Sequence, residues 1–267
     1  MSYLPRAELS VAERAILRTV LYSSLFDYPL TVGELQQNLL ELVLDESSIL
    51  NIYRSSTALQ SVIEYEDGYL FPRGRSALIQ TRRRREVRSQ AILEANRWVL
   101  TLIGSIPYTR MVALSGSAAH LNVDHDGDID LFLVTRANRV WSVAVTILLL
   151  TKLLGRRKMV CFNFILSDDR LQIERKDLFN ANQIIHLRPL LGQELYRRFV
   201  EVNSFVADFY PNFKATRTGL ECRPNWILRA LKVMAEWFFQ LGLAQLQEFM
   251  CRTTYSWYLK RKSHSCP

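Results

Sequence analysis

The chain has 267 residues, of which 49% are hydrophobic and 22% charged, with a formal net charge of +8. That apolar share excludes disorder over any long stretch, and the length admits one large domain or two to three small ones around a buried core. The excess of Lys and Arg favours polyanionic partners such as nucleic acid, nucleotides or an anionic membrane surface, with a solvated basic surface as the alternative.

In chain order, Ser10 and Glu13 have capping-box spacing, and Ile16, Leu17, Val20, Leu21 and Leu25 follow at helical intervals. After the turn at Asp27-Tyr28-Pro29, Thr31 and Glu34 repeat the box ahead of Leu35, Leu39 and Leu42. A third helix is expected from about Glu46 to Leu59, and Ser61 to Pro72 reads as two strands around Asp67-Gly68. Three short helices and a hairpin over residues 1–75 resemble a winged helix-turn-helix module. Residues 76–105 read as a basic linking helix, with the helical pattern starting at Arg75 and including Arg82, Arg83, Arg84, Arg85 and Arg88. Its charges fit either a solvated face or a phosphate-contacting stripe.

Residues 106–180 carry three short apolar strands, Met111 to Ser115, Ile129 to Val134 and Met159 to Leu166, with an apolar helix at Val140 to Leu154. Beyond Asn180 the pattern is helical, so 181–267 reads as a C-terminal helical region, with apolar stripes at Leu187 to Val206 and Trp226 to Leu259. Trp226, Trp237 and Phe238 are expected in the core. The longest apolar run, Val143 to Leu150, is too short to span a bilayer, so no transmembrane segment is expected.

The chemistry is concentrated in Leu114 to Val134. A strand ends at Ser115-Gly116-Ser117, small residues whose backbone N–H groups can approach a triphosphate closely. After ten residues come Asp128 and Asp130 at the head of a strand. Period two puts both carboxylates on one face, with Ile129, Leu131 and Leu133 on the other. Like charges held this close call for a cation, and hard oxygen ligands suit magnesium or manganese.

Gly-Ser, a spacer of this length and Asp-x-Asp on a strand resemble the polymerase-β-like nucleotidyltransferase superfamily, over roughly Ile106 to Asn180. The resemblance implies an α+β chain with a small mixed sheet flanked by helices. Gly116 and Ser117 would hold a nucleoside triphosphate, and Asp128 and Asp130 would bind Mg2+ or Mn2+. The activity implied is transfer of a nucleoside monophosphate to an acceptor, which nucleic acid or protein would both satisfy. The family often adds a third carboxylate from a later strand. The aligned position here is Asn163, expected to share a face with Cys161 and Ile165, and an amide adds neither charge nor basicity. Asp168 and Asp169, just beyond that strand, are the substitutes within reach of the sequence. The alternative is a nucleotidyltransferase-like fold with weak or no turnover, acting as a nucleotide- or nucleic-acid-binding regulator.

Asn122 to Leu133 also approaches an EF-hand loop but places Leu133 where calcium needs a bidentate Glu. His120, His125 and His186 lack metal-ligand spacing and read as loop or structural residues. Cys161, Cys222, Cys251 and Cys266 form no CxxC pair, and the N-terminus lacks the apolar run of a secretory signal. A reducing, cytoplasmic setting is the expectation.

Overall fold

The computed structural model describes residues 9–215, 221–240, 245 and 247–253. Its fold class is α+β, with two small sheets, and among the described residues no helix is long and apolar enough to cross a membrane. The chain divides into two compact units. One comprises the described residues up to Ser89, Glu174–Ile185 and the described part of 204–216. The other comprises Gln90–Ile173, His186–Asn203 and the described part of 217–267.

The first unit begins with α1 (Val11–Ser24), whose capping box joins Ser10 and Glu13 as their spacing predicts. A two-residue strand β1 (Leu30–Thr31) leads into α2 (Val32–Gln37), started by the Thr31–Glu34 capping box. The single helix expected at 46–59 is instead two, α3 (Glu46–Ser55) and α4 (Thr57–Val62). Ser56 divides them: it leaves the helical backbone and its hydroxyl accepts the Leu59 N–H, so the side chain restarts the helix as a cap. The hairpin β2 (Ile63–Glu66) and β3 (Tyr69–Pro72) turns at Asp67 and Gly68, with φ of 52° and 83°, the left-handed pair a two-residue turn of this hand needs. β3 lies between β1 and β2. Ile16, Val20, Leu35, Leu39, Ile49, Leu59 and Leu70 form the core beneath.

The basic segment is also two helices, α5 (Ala77–Ala95) and α6 (Arg97–Ser105). They part at Asn96, whose side-chain amide donates to the Ile92 carbonyl (2.8 Å) and competes with the helical ladder. Arg82 does not belong to an outward-facing cationic stripe. It is buried, forms a two-pronged pair with Glu34 (2.7 Å on each prong), donates to the Pro29 carbonyl, and lies over the rings of Tyr28 (4.2 Å) and Tyr69 (4.9 Å). Burial alone would push the Glu34 carboxyl up, but the Arg82 bonds and charge overcome this and hold it below the usual range. Arg82 therefore fastens α5 to the α2 region of its own unit.

In the second unit β4 (Thr109–Leu114) is followed by the short helix α7 (Gly116–Ala119), β5 (Ile129–Thr135), α8 (Val140–Leu153) and β6 (Val160–Ser167). The helix α9 (Leu178–Ile185) belongs to the first unit. Strand β7 (Arg188–Leu191) then completes a sheet of order β6-β5-β4-β7. β5 and β6 are parallel, as a crossover helix such as α8 requires, while β4 is antiparallel to both of its neighbours. Val99 and Ile103 of α6 and Val143 and Ile147 of α8 pack with Val112, Leu114, Ile129, Leu131 and Leu133 on one face of the sheet.

Strand β7 corrects the expectation of helix from Leu187 onward. Pro189 cannot sit inside a helix but is tolerated on an edge strand, and Gly192, at φ +81°, turns the chain into α10 (Gln193–Val202). The short α11 (Val206–Phe209) belongs to the first unit and α12 (Trp226–Gln240) to the second. Trp226, Trp237 and Phe238, expected in the core, are 77%, 66% and 55% exposed. α12 instead docks through Lys232, which donates to the Gly104 and Thr109 carbonyls, and Glu236, which accepts from the Tyr108 N–H at 2.7 Å. Cys266 and the stretch from 254 to Leu259 lie outside the described residues.

Candidate functional site

β4 ends in a turn built from small residues. Ser115 remains extended, and its N–H donates to the Asp130 carbonyl at 2.9 Å, which prolongs the β4–β5 ladder by one pair. Gly116 then takes φ +56°, a left-handed conformation that disfavours a side chain. Space is a second constraint, because a Cβ at Gly116 would strike the Asp130 carboxylate, whose Cγ lies 3.2 Å from that position. The loop from α7 back to β5 is anchored by Val123, fully buried in the core, and by an Asn122 N–H to Ser117 carbonyl bond of 2.9 Å. It delivers Asp128 and Asp130 to the start of β5, beside the turn.

Across the parallel ladder, Asp130 faces Cys161 and Leu131 faces Phe162. The register then slips, so Phe132 faces Phe164 and Asn163 is the extra residue of a bulge. Phe162 and Ile165 consequently both pack against the core, and Ile165 does not share a face with Asn163 as strict alternation predicted. Released by the bulge, the Asn163 amide lies near enough to the Asp130 carboxylate to lower its pKa. Asp128, Asp130 and Cys161 bring one oxygen, one oxygen and the thiol sulfur within 4.8 Å of one another. Below Asp130 on the same face the rings of Phe132, Phe164 and Phe199 form an apolar floor, with centroids of 6.0 and 5.2 Å from Phe132.

Burial pushes the Asp130 carboxyl up, and the neighbouring Asp128 charge pushes it further, against the opposing influence of the Asn163 amide. A second carboxylate and a thiol beside it provide a donor set that a divalent cation fits, since a cation relieves the repulsion that raises Asp130. No protein-family model, curated protein or solved structure matches the chain.

Of the residues singled out in the sequence, Gly116, Asp128, Asp130 and Asn163 come together, and Ser117 stands in α7 beside Gly116. Asp168 does not join them. Its carboxylate accepts from the Ala137 N–H at 2.9 Å and its N–H reaches the Thr135 carbonyl, at the far end of β5. Five residues of strand separate Asp130 from Thr135, about 16 Å at ~3.3 Å per residue. That distance removes Asp168 as a base for chemistry at Asp130. His125 is exposed and bonds Asp126 at 3.1 Å. His120 and His186, far apart in the chain, lie with ring centroids 4.0 Å apart and planes tilted by 48°, and burial together with the charges of His120 and Arg188 holds the His186 imidazole well below its ordinary value.

One residue at the site escapes motif reading: Cys161 emerges only once the parallel register sets it opposite Asp130. Ser115, read in the sequence as part of the turn, is set across from Asp130 on the same face by the ladder bond. A separate cavity of about 420 Å³ opens beside β7, lined among others by Gln193, Arg223, Arg229 and Lys232, and shares no residue with the carboxylate cluster.

Proposed function

We propose that the chain is a metal-dependent nucleotidyltransferase related to the polymerase-β-like superfamily, moving a nucleoside monophosphate from a nucleoside triphosphate to an acceptor. The observation that carries this reading is the contact between Gly116 and Asp130: the place where a Gly116 Cβ would stand is filled by the Asp130 carboxylate. A turn of small residues and a pair of acids are thereby one locus, which is what binding a triphosphate together with its cation requires. An EF-hand loop has no need of that turn.

In this reading Gly116 and Ser117 receive the phosphates through backbone N–H groups, and Asp128 and Asp130 hold the divalent cation. The cation supplies charge neutralisation for the phosphate oxygens and the leaving pyrophosphate. The Asn163 amide favours the ionised form of Asp130. No third carboxylate stands beside the pair among the described residues, so the acceptor hydroxyl has to be acidic or be activated by its own substrate. The first unit, in which four helices, α1 to α4, precede the hairpin, serves in this account as a winged-helix-like module that binds a nucleic-acid or protein acceptor.

A second reading is favoured by one feature. Asn163 cannot act as a base, which suits a regulator that binds nucleotide without turning it over. Labelled triphosphates separate the two. With α-labelled and γ-labelled nucleoside triphosphates and pools of RNA and protein, the enzyme reading expects acceptor labelling from the α position only, lost in Asp128→Ala and Asp130→Ala. Binding without any labelled acceptor supports the regulator instead.

A further inference from the structure

The residue that the proposed function leaves without a task is Cys161. It stands directly across the parallel ladder from Asp130, its sulfur among the carboxylate oxygens of Asp128 and Asp130, all within 4.8 Å. This is not a packing position. The core face of β6 is the one carrying Phe162 and Ile165, whereas Cys161 is partly exposed beside two acids. Asn163, the position that the motif would assign to a third ligand, is a neutral amide that brings no charge to the pair.

A second observation marks the same locus. Ser115 is 4% exposed, and its hydroxyl has no hydrogen-bond partner among the described residues. As the antiparallel cross-strand neighbour of Asp130, it projects from the same face of the sheet. A buried hydroxyl left unpaired costs stability unless something at the site takes its bond, and a ligand or its bound water on that face does so.

We propose that Cys161 is the third protein ligand of a divalent metal site with Asp128 and Asp130, and that this donor set selects a borderline, thiophilic cation of the zinc class over magnesium. It draws on the proposed function only for the expectation that a cation binds there. Magnesium takes oxygen ligands in near-octahedral geometry, while zinc and cobalt accept mixed oxygen and sulfur sets. At bond lengths of about 2.0–2.3 Å to oxygen and sulfur, ligand atoms around one ion stand roughly 3–4 Å apart, so small carboxylate rotations close the observed spacing. On binding, the thiol proton passes to solvent as the sulfur–metal bond forms. Ser115 and Gly116 bound the site on the β4 side.

Cobalt(II) titrated into the full chain in the absence of nucleotide is the test, read as the sulfur-to-cobalt charge-transfer absorption. The expected result is one such band at one equivalent, displaced by stoichiometric Zn2+ and retained under a large excess of Mg2+. Cys161→Ser should abolish the band and weaken Zn2+ affinity at least about tenfold, while Cys222→Ser and Cys251→Ser keep both. Circular dichroism of each variant, with Cys161→Ala as a second substitution, separates ligand loss from unfolding. Cobalt binding without a sulfur band, a band that persists in folded Cys161→Ser and Cys161→Ala, or displacement by millimolar Mg2+ overturns the assignment. A Cys161-dependent band in a protein that neither binds nor turns over triphosphate leaves the ligand assignment standing and removes the nucleotidyltransferase reading. Magnesium-supported transfer with no band does the reverse.

Discussion

Replacing Gly116 by alanine imposes two penalties that can be measured apart. The first is conformational: at φ +56° an alanine pays about 1–2 kcal/mol for the left-handed region. The second is steric, because the new methyl stands where the Asp130 carboxylate is, with Cγ only 3.2 Å away. Asp130 must rotate away from the new methyl, about 1 kcal/mol more for a side chain forced off its rotamer. The sum is roughly 2–3 kcal/mol, a fall in Tm of about 4–12 °C for a unit of this size. Gly155 is the control, since it has φ +65° with no heavy atom within 4 Å of its would-be Cβ, so alanine there carries the conformational cost alone. Urea unfolding of both variants, with Asp130→Ala alone and combined with each, isolates the steric part. Gly116→Ala should be the more destabilising by about 1 kcal/mol, and that excess should vanish when Asp130 is also alanine. Equal costs at Gly116 and Gly155 would refute the contact between turn and carboxylate.

Other outcomes follow from the same geometry. Arg82→Met should cost about 3 kcal/mol in urea unfolding, because it strands a mostly buried Glu34 without its cation; a loss typical of a surface arginine contradicts the anchor. Glu34 is held below its ordinary value of 4.5, so the stability from its pair is present above that pH and lost as pH falls through the lowered folded value. Acid unfolding of Glu34→Gln should therefore lack a component that the wild type shows below about pH 4.5. His186 is likewise depressed from 6.5, and its contribution is present above that pH and lost on acidification through its folded value. His186→Phe should flatten the stability profile just below pH 6.5, and an unchanged slope there would count against a buried neutral imidazole. Glu248 accepts from the Trp141 and Ser142 N–H groups at 2.9 and 2.8 Å, so Glu248→Ala should lower stability by about 1–2 kcal/mol, as loss of an N-cap does; thermal unfolding checks it.

Local rules made much of this chain legible. Capping boxes at Ser10 and Thr31, the Asp67-Gly68 turn and the apolar runs of β4, β5 and β6 involve residues close in sequence, and each forms about where its pattern points. Misreadings arise where a side chain bonds backbone locally or where pairing is distant. Ser56 and Asn96 interrupt helices because their side chains compete for backbone groups, a contest that apolar periodicity does not register. β7 is short and proline-containing, and only pairing with β4, more than seventy residues earlier, makes it a strand. Arg82 looks like its neighbours in a basic run and differs only through Glu34, Tyr28 and Tyr69, which the fold brings to it. At the site, Gly116, Asp128 and Asp130 were visible because spacing along one loop defines them. The place of Cys161 beside Asp130 depends on strand register, and the Asn163 bulge breaks the alternation used to predict facing.

The turn at Gly116 and the carboxylates of Asp128 and Asp130 are proposed to form a single triphosphate-and-cation site. Calorimetric titration of a nonhydrolysable nucleoside triphosphate, with and without Mn2+, tests this. Mutual strengthening is predicted: the cation should tighten triphosphate binding, the triphosphate should tighten cation binding by the same factor, and Asp130→Asn should abolish both effects. Triphosphate affinity that is the same with and without the cation, and the same in Asp130→Asn, would contradict the account.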